Sequence, residues 1–227
     1  SLLIIGGGST ALEIAHIFAA FGSKVTLAVR SETMLRGLDG DIAPFVKKQL
    51  EDVGIRVLYF AGAQKVSAGD GQKTVTFQDA NTGETYDITA QELFLAPGIV
   101  PNIESLNLRA AGVNTDIAGH VLSDERLMTN VEGIYAIGDV NGKFPLRHKA
   151  NYEAEVLNNI LFGDNTRTAR YDSVPQAVFT HPQVGSVGLS EKEARKLYGD
   201  RARVFRGSYS DIVSGIAMGY SKRRGDD

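Results

Sequence analysis

The chain contains no cysteine. That excludes disulfides and thiolate metal sites, and it fits a reducing, cytoplasmic compartment. Histidine is scarce as well. His16, His120, His148 and His181 are scattered without the spacing of zinc ligands, so no metal site is expected. No apolar run approaches the roughly 18 residues of a membrane span. No charged-then-apolar signal segment leads the chain, and no membrane association is expected. Positive charge is not in excess either. A net charge of −3 and a pI near 5.8 argue against nucleic acid as the main partner. The basic triplet Lys222-Arg223-Arg224 has nothing aromatic interleaved and reads as a solvated hairpin turn. With 227 residues, 43% of them hydrophobic, the chain can bury a core and holds more than one domain.

What is present begins with glycine. Gly6-Gly7-Gly8-Ser9-Thr10-Ala11 follows the apolar stretch 2–5 and opens an amphipathic segment. G-x-G-x-x-G/A after a strand is the dinucleotide fingerprint. Gly6 would make the tight turn, Gly8 would let backbone approach a pyrophosphate, and Ala11 would let helix and strand pack closely. A helix starting there offers free N–H groups and partial positive charge to phosphates. Leu12, Ala15, Ile17 and Phe18 recur at helical spacing, Gly22 can end the helix, and residues 24–29 read as a second, β-branched strand. The unit is then β-α-β at about the 30-residue length expected.

The end of that second strand discriminates between nucleotides. An NAD site wants an acidic side chain about 20 residues past the glycines, to accept from the ribose hydroxyls. Val29 stands there, followed at once by Arg30. A carboxylate would repel a 2′-phosphate, whereas guanidinium groups grip one through charge-assisted bonds. Arg36 lies within one loop of Arg30 and Ser31 can add a hydroxyl, so NADP is expected, with NAD the lesser alternative.

Further along, residues 41–52 read as a helix with Pro44 in its first turn, and 56–60 as a third strand. Alternating stretches at 64–67, 74–78 and 86–89 predict an antiparallel meander, and 92–95 a returning strand that ends in Ala96-Pro97-Gly98. Residues 131–136 read as a strand running into the Gly138-Asp139 corner. A helix is expected over 149–162, closed by Gly163, with strands at 178–180 and 184–187. Ser190-x-x-Glu193 is a capping box. The chain starts inside a strand, so an internal piece of a longer protein is expected.

Four motifs in this order resemble the flavoprotein disulfide reductases, the class I pyridine nucleotide-disulfide oxidoreductases that include dihydrolipoamide dehydrogenase and the mycothione, glutathione and mercuric reductases. They are the fingerprint continuing into Leu12-Glu13, the Ala96-Pro97-Gly98-Ile99-Val100-Pro101-Asn102 turn, the block 134–140, and Val178-Phe179-Thr180-His181-Pro182 followed by Val187-Gly188-Leu189. Leu146-Arg147-His148-Lys149-Ala150 is similar to the segment that passes beside the flavin in dihydrolipoamide dehydrogenases.

The resemblance implies an α/β chain in three parts. These are a Rossmann-type NAD(P)-binding domain with its meander (1–100), the C-terminal part of an FAD-binding domain (101–172), and the start of an α+β dimerisation domain (173–227). It implies that Asp139, after Gly138, bonds the FAD ribityl chain, and that the backbone around Arg147 and His148 approaches the flavin. It also implies that Gly98 belongs to the nicotinamide-nucleotide site, and that Glu13 lies near the nicotinamide and flavin rings or on a solvated helix face. The implied enzyme passes hydride between NADP(H) and FAD and on to a redox disulfide, with a small disulfide or dithiol as substrate, in a homodimer. The family's C-x4-C and first FAD fingerprint lie upstream, and its His-Pro-Thr-x-x-Glu downstream, so this chain alone is expected to be inactive. Ser9 stands where many members carry an aromatic gate, Ile99 replaces the usual arginine of its turn, and Ala11 is the variant common among NADP-using members. A non-catalytic nucleotide-binding module, and an NADH oxidase or ferredoxin reductase type of flavoprotein, stand as alternatives.

Overall fold

The structure is a computed structural model that describes residues 1–208. The Lys222-Arg223-Arg224 turn therefore lies outside the described residues. The chain divides into two compact units, residues 1–188 and 189–227.

The first unit opens with β1 (Leu2–Ile5), α1 (Ser9–Ala20), β2 (Val25–Ala28), α2 (Ile42–Asp52) and β3 (Arg56–Leu58). A meander of β4 (Ala61–Gly69), β5 (Gln72–Asp79) and β6 (Thr85–Ala90) follows, and β7 (Glu92–Leu95) returns to the first sheet. That sheet is parallel and four-stranded, in the order β3-β2-β1-β7. β1 is apolar throughout because both its faces are covered. Leu2 and Ile4 point to a core shared with α1 and α2, whereas Leu3 packs with Val75, Phe77 and Ala90 of the meander. Phe77 is fully buried and stacks on Tyr86, with ring centroids 5.7 Å apart.

α1 buries Ala11, Leu12 and Ala15. Ile17 and Phe18, expected on the inner face, are instead exposed. Small side chains at 11 and 15 bring this helix close to the sheet, and the face they define turns 17 and 18 outward. α2 keeps the expected pattern, burying Ala43, Val46 and Leu50. Its pairs Lys47–Glu51 and Lys48–Asp52 are exposed and contribute little to stability.

Residues 101–172 pack around two small clusters, one centred on Val113, Val121 and Ala136 and one on Leu127, Val156 and Ala169. The strand expected over 131–136 is absent: the segment makes a single isolated bridge, Met128 with Tyr135. Residues 131–134 form a tight turn instead, with Gly133 at φ +79° and the Ile134 amide donating to the Val131 carbonyl, so only 134–136 lie beside 127–129. α3 (Arg147–Phe162) begins two residues before the expected start and ends at Gly163. β8 (Gln176–Val178) and β9 (Val184–Ser186) form an antiparallel pair. In the second unit, α4 (Glu191–Tyr198) carries the expected capping box, with Ser190 accepting from the Glu193 amide and Glu193 from the Ser190 amide.

The glycine run divides into packed and open positions. Gly6 has φ +152°, and a Cβ there would lie 2.3 Å from the Ala96 carbonyl oxygen and 3.2 Å from the Ala11 Cβ. At Gly7 a Cβ would meet a Val29 methyl at 2.8 Å, whereas at Gly8 it would meet nothing within 4 Å. Gly6→Ala is therefore expected to lower stability by at least about 2 kcal/mol, through backbone strain and overpacking together. Gly8→Ala should cost under about 1 kcal/mol, as an exchange of one unbonded N-cap for another. Urea midpoints of the two variants measure the difference, and equal losses would contradict this division.

α1 also contacts the segment after β8. The Glu13 carboxylate accepts from the Phe179 amide at 2.9 Å. One turn on, both ring nitrogens of His16 are buried with no hydrogen-bond partner among the described residues, and burial pushes its pKa below the ordinary 6.5, outweighing the nearby backbone of His181 and Leu12, which favours the charged form. A histidine whose folded pKa is depressed binds fewer protons folded than unfolded. The stability that goes with its neutral form is complete above pH 6.5 and is lost as pH falls below it toward the depressed value. The wild type is thus expected to lose more thermal stability than His16→Phe between roughly pH 7.5 and 5.5. Parallel losses in melting scans would contradict an acid-sensitive His16.

Candidate functional site

A cleft of about 560 Å³ opens beyond the carboxyl ends of β1, β2 and β7. In parallel sheets this is where the strands leave backbone groups and loops for a ligand. Its floor is the run from Ile5 to Ser9, and its walls are Ala28 to Ser31, Leu35 to Leu38 and Ala96-Pro97-Gly98. Leu146, Gln176, Ala177, Val178, Val184 and Ser186 close the other side.

The fingerprint residues hold different places. Gly8 is the N-cap of α1 and has no side-chain cap, so the first amides of the helix are not satisfied by a side chain. Ser9 lines the cleft and Thr10 is exposed on the same turn. Ala11 is buried beneath Gly6. Gly98, at φ +153°, lies in the cleft wall. Glu13 is not in the wall, because its carboxylate is held by the Phe179 amide.

The loop after β2 shapes the lip. Val29 is buried, so the position where an acid would face a ribose is turned into the core. Arg30 and Arg36 are exposed at the cleft, and neither forms an ion pair among the described residues. Two contacts that sequence reasoning missed hold Arg36 there. Met34 is buried as a plug, and the Leu35 amide donates to the Gly7 carbonyl at 2.8 Å. Ser31 also lines the cleft, with its hydroxyl donating to the Thr33 carbonyl at 2.7 Å.

A second group of expected residues lies in the 101–172 region. Gly138, at φ +74°, begins a short 3₁₀ turn over Gly138–Asn141. Asp139 is exposed in that turn. Arg147 and His148 begin α3, and Leu146, its N-cap, reaches the cleft wall. The His148 Nε2 lies 2.7 Å from the Pro175 carbonyl, which it meets as a donor. Its imidazole is thus occupied in tying α3 to the segment before β8.

These residues suit a dinucleotide phosphate. The missing Cβ at Gly8 leaves open backbone at a helix start with no side-chain cap, and two guanidinium groups without acidic partners among the described residues stand at the rim. For a flavin, the chain supplies the exposed Asp139 carboxylate and the start of α3. Among the described residues there is no group of three or more His, Asp or Glu arranged to hold a metal, and no helix is long and apolar enough to cross a membrane.

Comparison with known proteins agrees with this layout. Residues 1–154 match the family model described as pyridine nucleotide-disulphide oxidoreductase, and residues 174–224 match the dimerisation domain of that family. The chain is 37% identical over 220 residues to a dihydrolipoyl dehydrogenase of Rhizobium etli, covering 96% of this chain and 45% of the relative. It is 35% identical to a glutathione reductase of Yarrowia lipolytica, with coverages of 87% and 42%. To a trypanothione reductase of Trypanosoma congolense it is 34% identical, with coverages of 95% and 44%. Among solved structures, a Cu(II) complex of the HOCl-induced flavoprotein disulfide reductase RclA from Escherichia coli superposes with a TM-score of 0.78 at 31% identity, covering 88% of this chain and 44% of that one. The chain spans less than half the length of the curated relatives it matches. With the fingerprint, the carboxyl-edge cleft and the Gly138-Asp139 corner in the family's order, and more than half the chain matched by its model, this protein belongs to the pyridine nucleotide-disulphide oxidoreductase family.

Proposed function

We propose that residues 1–100 bind NADP(H), that 101–172 contribute to an FAD site, and that 173–227 belong to a homodimer interface. The complete enzyme would pass reducing equivalents between NADPH and a small disulfide or dithiol in the cytoplasm. The family is FAD-dependent and uses NAD(P)H. In our reading the pyrophosphate rests on the α1 amides at Gly8, Ser9 and Thr10, over the close packing of Gly6 on Ala11. The 2′-phosphate sits between Arg30 and Arg36, with Ser31 beside it, and Gly98 lies against the nicotinamide half. Asp139 accepts from the ribityl hydroxyls of FAD at the Gly138 corner, and the α3 start at Arg147 and His148 adjoins the flavin. When bound, the cofactors supply hydride exchange. The chain's residues orient the two nucleotides and exclude water. The redox dithiol is no part of this cysteine-free chain.

The observation that carries the nucleotide assignment is at the end of β2. Val29 turns its side chain into the core where an acid would bond a ribose, and two arginines with no ion pair among the described residues face the cleft. A 2′-phosphate is the ligand group that uses both guanidiniums, through charge-assisted bonds. Arg30→Glu with Arg36→Ala is expected to weaken NADPH binding by about 2–4 kcal/mol, with bonds to charged groups worth roughly 1.5–3 kcal/mol each and not fully additive. NADH should be little affected. Gly8→Ala should weaken both nucleotides, which share the pyrophosphate. Calorimetric titrations measure all of these, and equal losses of NADPH and NADH in the arginine variant would refute the pincer.

A further inference from the structure

Beneath the Gly138-Asp139 corner lies a buried ion pair. Lys149 and Glu153, one turn apart on α3, are 1% and 0% exposed, with Nζ and Oε2 3.2 Å apart. Their bonds converge on one residue, Gly138, through the two peptide groups that flank its Cα. The Gly138 amide donates to the Glu153 Oε2 at 2.7 Å, and the Lys149 Nζ donates to the Gly138 carbonyl at 2.9 Å. Lys149 also donates to the Asn141 Oδ1 at 3.0 Å. The Glu153 Oε1 accepts from the Asn141 Nδ2 at 2.7 Å and from the Tyr171 hydroxyl at 2.5 Å. The three ammonium protons and both carboxylate oxygens are thereby satisfied.

Stability alone does not account for this arrangement. Desolvating two charges offsets most of their attraction, and an apolar pair of similar volume is commonly as stable or more so. What an apolar pair could not do is hold Gly138 by both its N–H and its C=O, and so fix the two peptide groups on either side of its Cα. Gly138 sits at φ +74°, a conformation that other backbone arrangements readily replace unless its surroundings fix it. Resting on the proposed role of Asp139 at the flavin, we propose that Lys149 and Glu153 are positioning residues, a charged clamp that fixes the backbone on both sides of the Gly138 Cα and so presents the Asp139 carboxylate to FAD before the cofactor arrives. Tyr171 ties the clamp to the segment leading toward β8. Preorganisation of this kind raises affinity by removing the cost of ordering on binding.

The test uses the complete gene product, stripped of flavin and retitrated with FAD. Affinity, the visible circular dichroism of the bound flavin, and the melting temperature of the apoprotein are recorded. The double variant Lys149→Met with Glu153→Gln removes both charges while keeping volume. It should melt close to wild type yet bind FAD at least about tenfold more weakly, with an altered flavin dichroism. Wild-type affinity and dichroism in that variant, or weakened binding only in step with a lowered melting temperature, would overturn the clamp. If the double variant does not fold, Tyr171→Phe decides. It removes one bond to the buried Glu153 carboxylate, so it should lower the apoprotein's melting temperature modestly and, titrated well below that temperature, raise the FAD dissociation constant by roughly threefold, and an unchanged constant overturns the proposal. Asp139→Ala separates the two levels. If it leaves FAD binding intact, the flavin reading of the corner fails and the clamp with it. If it abolishes binding while the clamp variants do not, the clamp alone fails.

Discussion

At the start of α1 the Gly6 backbone lies so close to the strand end of β7 that a methyl group would sit 2.3 Å from the Ala96 oxygen. Through that approach β1, β7 and α1 meet at one point. The Ala96 amide donates to the Ile5 carbonyl, the Gly6 amide to the Ala28 carbonyl, and Ala11 fits beneath. Because the three elements converge there, the uncapped end of α1 opens directly onto the carboxyl edge of the sheet. The cleft is a consequence of this packing. Gly7 extends it, since its carbonyl receives the Leu35 amide and fixes the loop that carries Arg36.

The two halves of the site are electrostatically opposite. At the cleft rim, Arg30 and Arg36 stand exposed without acidic partners among the described residues, a positive rim that an anionic ligand would neutralise. At the other corner an exposed acceptor, Asp139, is carried on a peptide that a fully paired, desolvated network holds. A phosphate suits the first environment and hydroxyl groups suit the second. Leu146 spans them, as the N-cap of α3 and as part of the cleft wall.

Much of this was legible in the sequence where local pattern and tertiary role coincide. The glycine run, the apolar β1, the alternating meander and the Ser190/Glu193 box each announce a local geometry that packing preserves. The failures occur where a partner distant in sequence decides. Ile17 and Phe18 have helical spacing, but Ala11 and Ala15 take the inner face because the sheet demands small contacts there. Residues 131–136 have strand composition, but a turn at 131–134 leaves only 134–136 to pair with 127–129. Glu13, which reads as a cofactor contact or a solvated carboxylate, also accepts from the Phe179 amide, a partner distant in sequence that its local pattern does not announce. Lys149 and Glu153 carry no signal at all. A lysine and a glutamate four apart on a helix ordinarily mark a solvated face, and only the folded corner reveals that this face is buried. Met34 and Leu35 were missed for the same reason, as ordinary loop apolars whose role is set by Val29 and Gly7.

The central claim is that the two exposed guanidinium groups after β2, Arg30 and Arg36, select a nucleotide by its extra phosphate. Its most direct measurement is the affinity of the unmodified protein for NADPH and for NADH across a range of ionic strength. The account predicts that NADPH binds at least about tenfold more tightly at low salt, and that the gap narrows as salt screens exposed charges. Equal affinities at low salt, or a preference for NADH, would contradict it.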